Sequence, residues 1–400
     1  MAGPESSELE IPFYDIPPTY KEFLKNHLIP NKPCIIGPRF TSSWKANKEW
    51  IVPTTDSAVD NKTLAPAYKP NYDYLCQQYG TAQGLVARCD RRYFTDQERI
   101  EMSFADFCKK WEQDDGKPSQ DYLKDLHLQK IFPGEEFYGV SDLFEDDWLN
   151  EYWLQQKERD DYRFAYFGGH TTFTPFHADV YRSYSWSSNI CGIKKWTLFP
   201  PGQEDLYKDK FGNSVYDVRD VDPTQFTKFD QARKIEIYQK DGETVFVPSN
   251  WFHQVENIGA AISINHNWIN ASNIMLTYES LRKDWNDCKH AINDLEDILS
   301  PVEFLQSSQR LLLAHSGWDW QIFLNMMAHV VANRIKEPNV PEHQPDLVWQ
   351  IDRIKDVLKQ WESDESQLLD YFKDNNLIGV YSQLCSNIDI IKQKFAISKA

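Results

Sequence analysis

The sequence has no cysteine pair in CxxC spacing. Its seven cysteines are scattered and odd in number, so neither a structural zinc site nor a disulfide framework is implied, and a reducing compartment is the natural setting. It also has no apolar run of the ~20 residues needed to span a bilayer. The longest, Ile322–Ala332, is interrupted by Asn325 and His329. The acidic start, Met1–Glu10, lacks the positive and apolar regions of a secretory signal. Residence inside the cell is therefore expected, with the cytoplasm as the location and the nucleus left open. Internal repeats and low-complexity tracts are missing. Basic residues are in deficit, 43 against 60 acidic, for a net charge of −17. Such a surface repels phosphate backbones, so direct nucleic-acid binding is not expected and a basic partner segment fits better.

Aromatic and apolar residues are plentiful. The 400 residues include 14 Trp, 20 Tyr and 23 Phe, a composition that excludes disorder over most of the length. A chain of this size buries roughly three quarters of its unfolded surface. It needs no metal to fold, so any metal it holds serves chemistry. Three regions are expected. Residues 1–118 mix short apolar runs with breakers, carry an amphipathic stretch near Ser103–Trp111, and begin with a disordered start; they read as an α/β extension that supports the central region. Residues 119–270 hold short strand-like runs at Tyr162–Phe167, Ser185–Ile190, Trp196–Phe199, Lys234–Tyr238, Thr244–Val247 and Ala261–Asn267. Strands and turns at this spacing predict a β-barrel or sandwich. Residues 271–400 show helical periodicity at Leu276–Ile298, Pro301–Ala314, Trp318–Lys336, Leu347–Glu362 and Ser366–Asp374.

His177-Ala178-Asp179 stands beside a strand signal. Residues two apart on an extended chain project to one face, so imidazole and carboxylate can chelate a single ion. His253 comes after the run Thr244–Pro248 and a turn at residues 249–252, which places it on a neighbouring strand or its edge. Two His and one carboxylate with open positions form the facial triad of non-haem Fe(II) oxygenases. An HxD alone arises by chance, and a lone His is more often a satisfied core group.

The company of these residues sharpens the reading. The stretch Thr174-Pro175-Phe176-His177-Ala178-Asp179, the strand Gly192-Ile193-Lys194-Lys195-Trp196-Thr197-Leu198-Phe199-Pro200-Pro201 and the hairpin from Asp241 to His253 resemble the jumonji-C family of 2-oxoglutarate dioxygenases. An Ile264–Trp268 strand completes the match, which spans residues 120–270 and extends loosely to Asn31–Gly37. The resemblance implies an α+β fold with a double-stranded β-helix (jelly-roll, cupin) core, an N-terminal α/β extension and a C-terminal helical region. It implies Fe(II), 2-oxoglutarate and dioxygen as cofactor and cosubstrates, with His177, Asp179 and His253 as metal ligands and catalytic centre.

A buried carboxylate needs a partner, and lysine supplies a point charge. Lys194 and Lys195 point to opposite faces of their strand, and alternation alone does not say which is inward; the resemblance selects Lys194 to grip the distal carboxylate of 2-oxoglutarate. It also places Thr174 and Tyr122 beside that carboxylate, and one or both of Asn265 and Asn267 on the face toward the metal pocket. Where many relatives have an Asn ten residues after the first His, this chain has Ser187 and then Asn189, and either is open as the group flanking the metal. His266 and His170 lie off the pattern and read as structural or substrate-lining. Glu243 reads as a turn acid, and Arg182 as a loop residue near the substrate mouth.

The branch of the family that the motifs most resemble implies a protein substrate, the eukaryotic translation release factor, hydroxylated at C4 of a lysine. The alternative within the same chemistry is removal of a methyl group from N-methyl-lysine on histone or another protein. A non-catalytic cupin-like binding module is the third reading, and it requires a broken triad or a missing lysine. In related oxygenases the C-terminal helices often form a dimer, and Trp318, Trp320, Phe323, Met326 and Met327 offer an apolar surface for one; intramolecular core is the competing expectation.

Overall fold

A computed structural model describes residues 10–54, 66–156, 159–337, 341–364, 371–373 and 375–397. The expected disordered start therefore lies outside the described residues, apart from Glu10. Two strands carry the architecture. Tyr184–Phe199 and Phe252–Trp268 run antiparallel, with Tyr184 opposite Trp268 at one end and Phe199 opposite Phe252 at the other. Their register shifts between Asn189 and Ile193, where Gly192 has φ +84° and Gly259 on the partner strand has φ +86°. A Cβ on Gly192 would lie 2.3 Å from the Ala260 carbonyl oxygen, so only glycine lets the two backbones approach this closely.

The bulge bends both strands, and each half serves a different sheet. Residues 184–189 and 263–268 sit within the larger sheet, flanked on one side by Thr244–Val247, Cys34–Ile36 and Phe13–Tyr14 and on the other by Arg163–Gly168, Asp121–Leu126 and the hairpin Gln83–Tyr93/Asp96–Ser103. Residues 194–198 and 252–258 pair with Ile235–Gln239 and Phe173–His177 to make the smaller sheet. The result is the expected double-stranded β-helix. Arg163–Gly168, Ile235–Gln239 and Thr244–Val247 fall within one residue of the strands expected from the pattern. Ser185–Ile190 and Trp196–Phe199, expected as separate strands, are one, because the bulge bends the ladder without ending it.

The N-terminal region is built onto this sheet. Four of its strands extend the large sheet on both flanks, while Ile51–Pro53 and Tyr68–Pro70 pair separately, and helix Phe104–Gln113 is capped by Ser103, whose hydroxyl accepts from the Asp106 amide. That helix buries Phe104, Phe107, Cys108 and Trp111, the i, i+3, i+4, i+7 stripe. Trp111 packs edge-on against Phe167 of the sheet.

After Trp268 the chain is helical, at Ile274–Ala291, Pro301–Ser316, Trp320–Lys336, Leu347–Asp364 and Ile378–Ile397. The first four match the periodicity with their ends shifted; the helix expected at Ser366–Asp374 lies mostly outside the described residues. The last helix is not among those expected, although Leu384, Ile388 and Ile391 give it a buried stripe. Trp318, Trp320, Phe323, Met326 and Met327 are at most 1% exposed within the single chain. The dimer surface suggested for them is therefore corrected: they form the core between helices, joined by Trp148, Tyr278 and Trp361. Among the described residues no helix is long and apolar enough to cross a membrane.

Candidate active site

The smaller sheet places His253 directly opposite His177, which brings the imidazole centroids to 4.4 Å. Asp179 lies two residues further on, and ligand atoms of all three side chains lie within 4.8 Å of one another. Each imidazole is oriented by its own backbone: Nδ1 of His177 reaches the Pro175 carbonyl at 2.8 Å and Nδ1 of His253 the Trp251 carbonyl at 2.9 Å. A carbonyl only accepts, so both Nδ1 atoms donate and both Nε2 lone pairs stay free for an ion. Burial, reinforced by His253, pushes the His177 pKa down to about 4, which keeps it in the neutral form that ligation requires. The Ser185 hydroxyl donates to Asp179 Oδ2 at 2.7 Å, leaving the other carboxylate oxygen for the metal. Two imidazole nitrogens and one carboxylate oxygen within 4.8 Å of one another are the donor set that suits Fe(II).

The turn that delivers His253 is held from far away in sequence. Asn31 accepts from the Ser249 amide at 3.0 Å and donates to the Ser249 carbonyl at 2.8 Å. Its own carbonyl accepts from the Trp251 indole. Asn31 and Asn250 both have φ near +60°, a region asparagine tolerates better than most residues.

Lys194 lies at the other end of the same pocket. It is 1% exposed, and its ammonium donates to Asn257 Oδ1 at 2.9 Å and to the Tyr122 hydroxyl at 3.3 Å. No carboxylate among the described residues pairs with it, and burial pushes its pKa down to about 7. An unpaired buried ammonium is costly, and a pocket that keeps one is built for an anion. Lys195 points outward and pairs with Glu236 at 3.3 Å. Thr174 and Tyr122 line the pocket together with Lys194, and Tyr122 is bonded to the side chains of Asn257 and Thr174.

Asn265 and Asn267 both line the pocket. Asn265 Oδ1 is buried without a partner among the described residues, whereas Asn267 is anchored by donating to Ser183 Oγ at 3.1 Å. Of the two open candidates near the metal, Ser187 lines the pocket, while Asn189 donates to the Gly192 carbonyl at 2.6 Å and staples the bulge. His266 is stacked on Trp186 at 4.2 Å and bonded to the Tyr138 hydroxyl. His170 takes the Gly259 amide, and Glu243 closes its turn onto the Lys240 amide; all three are structural. Arg182 lies over the ring of Phe252, the residue before His253, at 4.9 Å.

The pocket is also lined by residues to which the sequence pattern gave no role, among them Tyr166, Trp196, Val255 and Ser263. Asn257, the partner of Lys194, is another such residue. Val255 and Asn257 lie two and four residues after His253, so strand alternation carried their signal; nothing local marked Tyr166.

A family model described as the cupin-like domain matches residues 20–274. The chain is 37% identical over 326 residues to 2-oxoglutarate and iron-dependent oxygenase JMJD4 of Gallus gallus, covering 79% of this chain and 73% of that protein. It is also 37% identical to the Danio rerio protein of the same name, covering 86% and 78%, and 38% identical to the arginine-specific demethylase JMJ20 of Arabidopsis thaliana, covering 78% and 67%. With its triad, buried lysine and jelly-roll frame, the chain belongs to the cupin-like JmjC family of 2-oxoglutarate- and iron-dependent oxygenases.

Proposed function

We propose that this oxygenase is a protein lysyl C4-hydroxylase acting in the cytoplasm on the translation release factor. The observation that carries the oxygenase chemistry is Lys194: a buried, uncompensated ammonium facing the His177–Asp179–His253 cluster across one pocket. His177, Asp179 and His253 would hold Fe(II), and Lys194, Tyr122 and Thr174 would receive the distal carboxylate of 2-oxoglutarate. When bound, the iron and 2-oxoglutarate supply the oxidising chemistry, in which dioxygen is consumed and 2-oxoglutarate becomes succinate and carbon dioxide. The protein's own part is positioning. Ser185 keeps Asp179 oriented, and the two backbone carbonyls keep the imidazoles in one tautomer.

The narrower assignment, lysine of the release factor, is supported by the likeness to the JMJD4 proteins and by a net charge of −17 that favours a basic segment. A second reading, demethylation of an N-methyl cation, has one specific observation behind it: a relative of 38% identity is named a demethylase. Intact-mass analysis separates them. Release factor incubated with the enzyme, Fe(II) and 2-oxoglutarate should gain one oxygen at a lysine. Loss of a methyl group from a methylated lysine or arginine peptide, with the release factor unchanged, would overturn the hydroxylase reading.

A further inference from the structure

Beside the triad a second cleft opens, and it shares His177, Asp179, Tyr166, Thr174 and Asn267 with the cosubstrate pocket. Lys194 is absent from its walls. In its place stand Tyr162 and Phe164, along with the charged set Asp96, Arg99, Lys124 and Asp125. Two cations, Lys124 and Arg99, act on both carboxylates. Lys124 and Arg99 both reach Asp96, at 3.2 and 3.0 Å. Asp125 receives the Tyr166 hydroxyl on Oδ1 at 2.5 Å and Arg99 on Oδ2 at 2.9 Å. A carboxylate offers about four acceptor positions, so each Asp125 oxygen keeps one, and the side chain is 33% exposed. Its backbone is held at φ +59°, a conformation that a non-glycine residue adopts at a cost and that clusters at functional sites.

We propose that Asp125, oriented by Tyr166, is the specificity-determining residue that receives the cationic head of the target side chain while the aliphatic stem lies along Tyr162, Phe164 and Tyr166. This deepens, and rests on, the reading of the protein as an oxygenase of a cationic protein side chain. Tyr166 supports the placement in physical terms, because its ring belongs to both pockets: a cation held at Asp125 leaves the stem carbons on the side of the cleft shared with His177 and Asp179. In the segment Tyr181–Ser185, which follows Asp179, three polar side chains already have partners. Tyr181 bonds the Tyr162 hydroxyl and packs on Trp318 with ring centroids 3.9 Å apart, Ser183 bonds Asn267 and Ser185 bonds Asp179.

The test is a double-mutant cycle on binding, using the full chain loaded with Fe(II) and 2-oxoglutarate without oxygen. Three fluorescent release-factor peptides are compared, carrying lysine, its neutral isostere norleucine, or arginine at the target position, against wild type and Asp125→Asn. Asparagine tolerates the left-handed conformation, and Arg99 keeps Asp96, so this variant should fold; its melting temperature is recorded alongside. The wild type should prefer a cationic peptide over norleucine about tenfold, the worth of one charged hydrogen bond at a partly solvated acceptor. Asp125→Asn should lose that preference while binding norleucine as before, and Tyr166→Phe should lose part of it. Equal weakening toward all three peptides, or no cation preference in the wild type, overturns the proposal. A lysine peptide bound with the expected preference but never hydroxylated in air would leave Asp125 in its role and remove the hydroxylase reading. Preference for arginine over lysine would likewise keep Asp125 and redirect the function.

Discussion

At Lys194 burial pushes the ammonium from 10.5 down to about 7, and cosubstrate binding is therefore expected to depend on pH. The distal carboxylate of 2-oxoglutarate binds the charged form. Affinity should therefore be full below pH 7 and fall as pH rises above it, by up to about tenfold per unit, with one proton taken up on binding. Calorimetry in buffers of different ionisation enthalpy at pH 6 and pH 8.5 should show uptake only at the higher pH. The same shift has a stability sign: between 7 and 10.5 the unfolded chain holds a proton that the folded one does not, so this group's contribution to stability rises with pH across that window. Lys194→Ala should raise the 2-oxoglutarate requirement by ~30-fold or more, as expected for loss of a buried charged contact on the order of 2–5 kcal/mol. Lys195→Ala removes only a partly exposed pair with Glu236 and should leave the requirement near wild type. Comparable effects in both variants would reverse the facing of the strand. At the metal, Asp179→Ala should reduce iron content and abolish succinate formation while the melting temperature of the metal-free protein changes little, because a chain of this size does not take its core from one ion.

Among the elements, the bulge in Tyr184–Phe199 decides what the pocket contains. Before it, Ser185 and Ser187 face inward; after it, Lys194 and Trp196 do. Unbroken alternation from Ser185 would have turned residues 193 and 195 inward. One inserted residue flips the whole second half of a strand, and Gly192 is what permits the insertion. Gly192→Ala should cost at least about 2 kcal/mol from the positive φ and the contact with Ala260. Because Lys194 sits two residues on, 2-oxoglutarate affinity should fall as well. Chemical denaturation and a 2-oxoglutarate titration read the two effects; a stable variant with normal affinity would show that the bend does not need glycine.

Across the whole molecule, Trp318 is one of the places where the region after Trp268 meets the site. Trp318 packs on Tyr181, which lies two residues after Asp179 and bonds Tyr162 in the second cleft. Tyr181 and Arg182 both have positive φ, at 58° and 50°, so this stretch keeps its shape only under external packing. Trp320, fully buried between Tyr278, Trp285 and Trp361, should cost about 3–5 kcal/mol on truncation to Ala, seen as a lowered denaturation midpoint. Unchanged stability would show that these aromatics do not form the core between the helices.

The chemistry and most of the framework were legible in the order of residues alone. Metal ligation needs particular side chains at short, regular separations, and helices and strands announce themselves by local period, so the HxD, His253, four C-terminal helices and the β-rich middle could all be identified before folding was considered. Contacts between residues distant in the chain decided the rest: the outward Lys195, Ser187 in the pocket and Asn189 at the bulge, Asn257 as the lysine's partner, and the burial of Trp318, Trp320, Phe323, Met326 and Met327. An apolar stripe reads the same whether it meets its own chain or another, and alternation fails at a single bulge. The second cleft is the extreme case, since Asp125, Tyr166 and Arg99 belong to three separate strands and become a site only when the sheet aligns them.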